Sequence, residues 1–109
     1  MEGKINSIDD IGKLIGGSPA LLLYISKERC NVCHELKPKI IKLISDYFPK
    51  MRFQYIDIEK FTDAAGKFSV FAVPTILVYF EGKEFFREGR NLGIEQLREM
   101  IERPYLMLF

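Results

Sequence analysis

The chain has 109 residues, and its 16 lysine and arginine side chains against 15 aspartate and glutamate side chains give a formal charge of +1. This length suits one domain over residues 1–109 and excludes a second catalytic domain. The interspersed charges provide no clustered basic face for nucleic acid, and no apolar run approaches the ~20 residues of a membrane-spanning helix. The first six residues lack the apolar core of a secretory signal. We therefore expect a cytoplasmic, monomeric protein, unless a leader has been removed.

The first half of the chain predicts a helix, a strand, a helix and a strand. The first helix begins after Ser7, a capping residue, and ends at the glycine pair 16–17. The apolar run 20–25 lacks alternation, which is typical of a strand that is buried on both faces of a sheet. A helix over about 30–47 and a strand over 51–58 follow. The apolar stripe of this helix consists of Cys33, Leu36, Ile40, Ile44 and Tyr47.

The second half predicts a weaker helix over about 61–71, a strand over 75–80 and a hairpin into a strand over 84–87. A last helix begins near residue 94, and the segment 104–109 is an apolar tail beyond it. The resulting order is α-β-α-β-α-β-β-α. It predicts an α/β fold in which helices cover both faces of a mixed, four- to five-stranded sheet.

The two cysteines of the chain lie close together. Cys30 and Cys33 are separated by Asn31 and Val32. A domain of this size does not need a disulfide for stability, and a bridge that closes so short a loop removes little entropy from the unfolded chain. A structural role therefore explains the pair poorly, and a chemical role explains it better.

The predicted helix assigns different roles to the two sulfurs. Cys30 lies in its first turn, where unpaired backbone amides and the helix dipole favour a thiolate. Arg29 adds positive charge beside it, and such surroundings lower a cysteine pKa from ~8.5 to between ~3.5 and ~7.5. Cys33 faces the core, where burial disfavours its thiolate. We predict that Cys30 attacks a substrate disulfide to form a mixed disulfide and that Cys33, the resolving cysteine, displaces the reduced product.

Three further residues adjoin the sulfurs and are expected to modulate the thiols together with Arg29. Asn31 and Val32 lie between the cysteines, where Asn31 also helps the helix to begin. His34 is expected to face solvent and to modulate the thiols slightly, without acting as a base.

The same residues fit two other kinds of site less well. Cys30, Cys33 and His34 match the attachment pattern of a c-type haem, with Met100 or Met51 as a second axial ligand. A structural zinc site requires four ligands, and the chain has no second cysteine pair. The strand-helix-strand pattern is not expected in a c-type haem protein. We therefore expect neither a metal nor an organic cofactor, because the sulfurs themselves carry the electrons.

Four features together resemble the thioredoxin family over about residues 5–102. They are the Cys30-Asn31-Val32-Cys33 motif after a buried strand, Pro38 five residues after the motif, Val73-Pro74-Thr75 and Gly89. The resemblance implies a thioredoxin fold and a thiol-disulfide oxidoreductase. Its partners would be disulfide-containing protein substrates, which it reduces, and an electron-donating reductase. The alternative function is a non-catalytic or redox-sensing module that binds partners in the groove near Val73-Pro74.

The resemblance also implies roles for particular positions. The Val73-Pro74 bond would be cis and face the cysteines, so that the Val73 backbone pairs with an extended substrate. The chain departs from the family at three places. Arg29 replaces a usual tryptophan, Asn31-Val32 replaces Gly-Pro, and Tyr24 stands where the family places a buried aspartate that is implicated in proton transfer to the resolving cysteine.

Overall fold

The computed structural model describes residues 5–89 and 91–109, and in these residues the order of elements is the predicted one. The N-terminal residues 1–4, part of the segment examined for a secretory signal, lie outside the described residues. The helices are α1 (Ile8–Gly17), α2 (Asn31–Tyr47), α3 (Asp63–Phe68) and α4 (Ile94–Leu108). The strands are β1 (Ala20–Ser26), β2 (Arg52–Asp57), β3 (Thr75–Phe80) and β4 (Lys83–Glu88).

The four strands form one mixed sheet in the order β2-β1-β3-β4. The inner strand β1 pairs parallel with β2 and antiparallel with β3, and β3 forms an antiparallel hairpin with β4. All seven residues of β1 are buried, because helices cover both faces of the sheet there. This arrangement confirms the α/β class and the four-stranded form of the predicted sheet.

The sheet separates two apolar clusters. Alternate residues of β1 point to opposite faces, so Leu22 and Tyr24 join one cluster while Leu21 and Leu23 join the other. The first cluster lies beneath α2 and α4 and includes Cys33, and the second lies beneath α1 and α3. The predicted redox pair is therefore attached to the larger of the two clusters.

Local signals set several of the predicted boundaries. The Ser7 hydroxyl accepts a hydrogen bond from the Asp10 amide at 3.2 Å and caps α1, which ends at Gly17. Glu81 and Gly82 both have positive φ angles of 53° and 82° in the tight turn between β3 and β4. The glycine meets this requirement without a steric penalty. In the described residues, no helix is both long and apolar enough to cross a membrane.

Two sequence predictions about the helices are wrong. The segment 104–109 is not a tail beyond the last helix, because α4 continues through Pro104 to Leu108. Tyr105 explains this continuation: it is buried, and its hydroxyl accepts a hydrogen bond from the Lys50 amide at 3.1 Å. Tyr47 is 58% exposed and does not continue the apolar stripe of α2, because the next residue, Phe48, occupies the inward position.

Candidate redox site

A disulfide joins Cys30 and Cys33, and their Cα atoms are 5.2 Å apart. This separation lies within the usual range for bridged cysteines. The pair can therefore close without unwinding of α2. The two residues differ in accessibility: Cys33 is 1% exposed, whereas Cys30 is half-buried. The sulfur that a partner reaches more easily is thus that of Cys30.

Cys30 is the N-terminal cap of α2, because the helix begins at Asn31, one residue after the predicted start near residue 30. Its backbone is extended, and its Sγ atom accepts a hydrogen bond from the Cys33 amide at 3.1 Å. Its own amide donates to the Lys27 carbonyl at 3.1 Å, which fixes the loop before the helix. The sulfur therefore lies where the unpaired amides and the dipole of α2 stabilise negative charge.

Tyr24 lies beneath Cys33. The Tyr24 side chain is fully buried, and its hydroxyl donates a hydrogen bond to the Cys33 carbonyl at 2.6 Å. Burial, with a smaller contribution from Tyr55, raises the pKa of Tyr24 to about 12. Tyr24 is therefore a neutral hydrogen-bond donor at physiological pH, in a position where the sequence resemblance places an acid.

A second tyrosine borders Tyr24 on the same face of the sheet. The ring of Tyr55 lies 6.3 Å from that of Tyr24, and its hydroxyl accepts a hydrogen bond from Ser26 at 3.0 Å. The ammonium group of Lys37, on α2, lies 4.3 Å from the centre of the Tyr55 ring. This contact is a cation-π interaction that connects β2 with α2 near the cysteines.

The four predicted modulating residues adjoin the two cysteines along the chain. Arg29, Asn31, Val32 and His34 are all exposed. The ring of His34 forms a hydrogen bond with the Glu28 carbonyl, so this side chain fastens α2 to the preceding loop. The expectation that His34 faces solvent is confirmed, and the influence of these four residues on the thiols stays a prediction.

The peptide bond between Val73 and Pro74 is cis, as the resemblance implied. Val73 packs against the same apolar cluster as Cys30 and Cys33. An open groove of about 410 Å³ lies beside this bond. Its lining consists of Ala72, Val73, Pro74, Thr75, Glu88, Gly89, Asn91, Leu92 and Gln96. The two cysteines do not line this groove.

Two features near the groove escaped sequence analysis. Phe71 is 90% exposed and lies beyond α3, although the sequence predicted that the helix extends to about residue 71. Arg87, on β4, donates hydrogen bonds to the carbonyls of Phe68 and Ser69 at 2.9 and 3.1 Å. The segment that leads to Pro74 is therefore held at its beginning. The contacts of Arg87 have no signal in the sequence, because they join segments that are distant along the chain.

The family is established by comparison with known proteins. The family profile described as Thioredoxin matches residues 13–103. This chain belongs to the thioredoxin family. Thioredoxin-like protein YdfQ of Bacillus subtilis is 35% identical over 101 residues, which cover 93% of this chain and 89% of that relative. A thioredoxin of Staphylococcus saprophyticus is 28% identical over 74 residues, 68% of this chain and 71% of its own length.

Solved structures agree with the assignment to the thioredoxin family. The X-ray structure of Fasciola hepatica thioredoxin has a TM-score of 0.78 and 29% identity, covering 89% of this chain and 93% of its own. A mutant thioredoxin from Halobacterium salinarum reaches a TM-score of 0.82 at 17% identity, covering 95% and 89%, and so shows the fold alone. The thioredoxin fold and the bond between Cys30 and Cys33 favour a dithiol pair over the haem and zinc alternatives.

Proposed function

We propose that this protein is a thiol-disulfide oxidoreductase that reduces protein disulfides through Cys30 and Cys33. The observation that carries the proposal is the asymmetry of the pair: the half-buried residue Cys30 caps α2, while Cys33 lies in the core. The helix terminus favours the thiolate of Cys30, whereas burial disfavours the thiolate of Cys33 before the mixed disulfide has formed.

The reaction transfers two electrons from the dithiol to the substrate disulfide. The thiolate of Cys30 attacks one substrate sulfur, forming a mixed disulfide and releasing the other substrate sulfur as a thiolate that takes up a proton. Cys33 then loses its proton and attacks the Cys30 sulfur. The bond between Cys30 and the substrate breaks, the second substrate thiolate leaves and is protonated, and the bond between Cys30 and Cys33 remains. The dithiol is oxidised, and the substrate disulfide is reduced.

The groove beside Val73 and Pro74 is the proposed substrate-binding surface. The backbone of Val73 would pair with an extended segment of the substrate next to its disulfide, a mode of recognition that tolerates different sequences. The half-buried position of Val73 on the same cluster as Cys30 supports this assignment.

The proposed partners are disulfide-containing proteins and a reductase that restores the dithiol. One relative, NADPH-dependent thioredoxin reductase 3 of Arabidopsis thaliana, is 29% identical over 83% of this chain, although the match covers 17% of that protein. We further propose that the protein is a monomer and that it works in the cytoplasm. A reducing dithiol suits that compartment because cytosolic thiols are kept reduced. The reaction requires no organic cofactor on this chain.

The test compares the wild type with Cys30→Ser and Cys33→Ser in the reduction of a protein disulfide by dithiothreitol. We expect both variants to lose turnover and the Cys33→Ser variant to accumulate a mixed disulfide through Cys30. Mass spectrometry of the trapped adduct identifies the attacking sulfur. A Cys33→Ser variant that traps no substrate would contradict the assigned roles.

The same experiment separates this function from that of a binding or redox-sensing module. A module of that kind would hold partners tightly, while the wild type reduced the protein disulfide no faster than dithiothreitol alone. That outcome would replace the catalytic proposal with the binding one.

A further inference from the structure

Both backbone polar groups of Cys33 have side-chain partners. Its amide donates to the Sγ atom of Cys30 at 3.1 Å, and its carbonyl accepts from the Tyr24 hydroxyl at 2.6 Å. The ring of Tyr24 cannot move freely, because it is fully buried and lies 6.1 Å from the Phe53 ring in a stacked arrangement. The hydroxyl of Tyr24, on β1, therefore fixes the first turn of α2 at Cys33.

We propose that Tyr24 is a positioning residue for the redox reaction, holding Cys33 where its sulfur closes the disulfide on Cys30. This inference rests on the proposed function. Resolution of the mixed disulfide is an intramolecular reaction, so its rate depends on how often the Cys33 sulfur meets Cys30 in a reactive geometry. The structure describes the bonded pair, with Cα atoms 5.2 Å apart. A contact that favours this arrangement raises the effective concentration of Cys33.

Tyr24 acts through position and not as a base. Its proton already lies in the hydrogen bond to the Cys33 carbonyl, and its raised pKa keeps the phenol neutral at physiological pH. During resolution, Cys33 loses its proton to solvent and forms a bond with Cys30. The substrate sulfur leaves with the electron pair of the broken bond and takes up a proton from solvent. The Tyr24 hydroxyl stays intact throughout.

The test is Tyr24→Phe, which keeps the ring and removes the hydroxyl. Two steps are measured separately: attack on a protein disulfide, in a Cys33→Ser background, and release of product from the mixed disulfide, by stopped flow. We expect attack to be unchanged and release to be about fivefold slower, the usual effect of one lost hydrogen bond. Equilibration with glutathione should show the disulfide disfavoured by the same factor, equivalent to a potential about 20 mV higher.

Tyr105→Phe is the matched control. It also removes a buried tyrosine hydroxyl from the same cluster, but that hydroxyl binds the Lys50 amide, beyond the other end of α2. The control should lower the free energy of unfolding and leave both the release rate and the equilibrium with glutathione unchanged. A potential shift of equal size in both variants would overturn the proposal, because it would report general destabilisation.

A measurement on the wild type covers the case in which Tyr24→Phe does not fold. If the hydrogen bond favours the closed pair, the NMR shift of a labelled Tyr24 Cζ carbon, which reports the hydrogen bond of the phenol, should change on reduction. An unchanged shift would contradict the proposal. The inference also fails if Tyr24→Phe is less stable in both redox states while its release rate and potential equal those of the wild type.

The outcomes distinguish this inference from the proposed function. If the wild type forms no mixed disulfide at all, both proposals fail. If the wild type turns over and the Tyr24→Phe variant resolves its mixed disulfide equally fast, the function stands and the positioning role of Tyr24 is wrong.

Discussion

Replacing Arg87 by methionine should destabilise the protein and loosen the segment that carries the groove. The guanidinium group forms two kinds of contact. It donates to the carbonyls of Phe68 and Ser69 at 2.9 and 3.1 Å, at the end of α3, and to the two carboxylate oxygens of Glu84 at 2.8 and 2.7 Å. Methionine preserves much of the apolar side chain and removes all four hydrogen bonds.

The two kinds of contact differ in their expected contribution. The Arg87 and Glu84 side chains are 38% and 34% exposed, so solvent screens the ion pair and it contributes at most about 0.5 kcal/mol. The carbonyl contacts are charge-assisted and one of them is partly buried, so they contribute about 1–2 kcal/mol together. We therefore expect Arg87→Met to lower the free energy of unfolding by about 1–2.5 kcal/mol and Glu84→Gln by at most about 0.5 kcal/mol.

Urea unfolding of the wild type and both variants at pH 7 measures these differences. The hydrogen bonds from Arg87 lower the pKa of Glu84, so the contribution of the ion pair is present above the unfolded pKa and is lost as the pH falls through the folded pKa. Glu84→Gln should remove this acid dependence. A Glu84→Gln variant as unstable as Arg87→Met would refute the reasoning, because the carbonyl contacts would then contribute nothing.

Three further outcomes are expected. Phe71→Ser should change the free energy of unfolding by less than about 0.5 kcal/mol, because Phe71 is 90% exposed. Since Phe71 lies near the proposed substrate groove, the same change should raise the KM for a protein disulfide and leave the KM for a small disulfide unchanged. Ile101→Ala should cost about 2–5 kcal/mol in urea unfolding, since Ile101 is fully buried. Because the pKa of Tyr24 is raised from 10.0 to about 12 by folding, the stability that it contributes is fully present below pH 10 and should fall by about 2–3 kcal/mol between pH 10 and about 12. Tyr24→Phe should show a smaller loss of stability in this range.

The sequence was sufficient for the fold because its signals are local. The apolar run of β1 predicted burial on both faces. Ser7 caps the start of α1 and Gly17 is its last residue, as capping and glycine preferences predicted. The end of α4 was predicted wrongly for a related reason. The segment 104–109 was interpreted as an apolar tail, but α4 continues through it, and the burial of Tyr105 outweighs the local cost of Pro104 within the helix.

The candidate site was predictable where one segment supplies it and unpredictable where several do. The position of Cys33 on the apolar stripe of α2 predicted that it is more buried than Cys30. The hydrogen bond from Arg87 to the Ser69 carbonyl joins residues that are 18 positions apart, and no pattern in either segment indicates it. The hydrogen bond from Tyr24 to the Cys33 carbonyl was likewise not predicted, because the resemblance indicated only that Tyr24 stands in place of a buried aspartate.

The placement of Cys33 connects the chemistry of the site to the stability of the core. Cys33 belongs to the same buried cluster as Ile40 and Ile101, so packing on that face acts on one of the two cysteines of the disulfide. By the thermodynamic cycle, any difference in folding free energy between the disulfide and dithiol forms, relative to their unfolded chains, is also a difference in reduction potential. About 1.4 kcal/mol corresponds to about 30 mV. A change beneath α2 that stabilises one redox form more than the other must therefore move the potential, even where it leaves every group that a substrate touches unchanged.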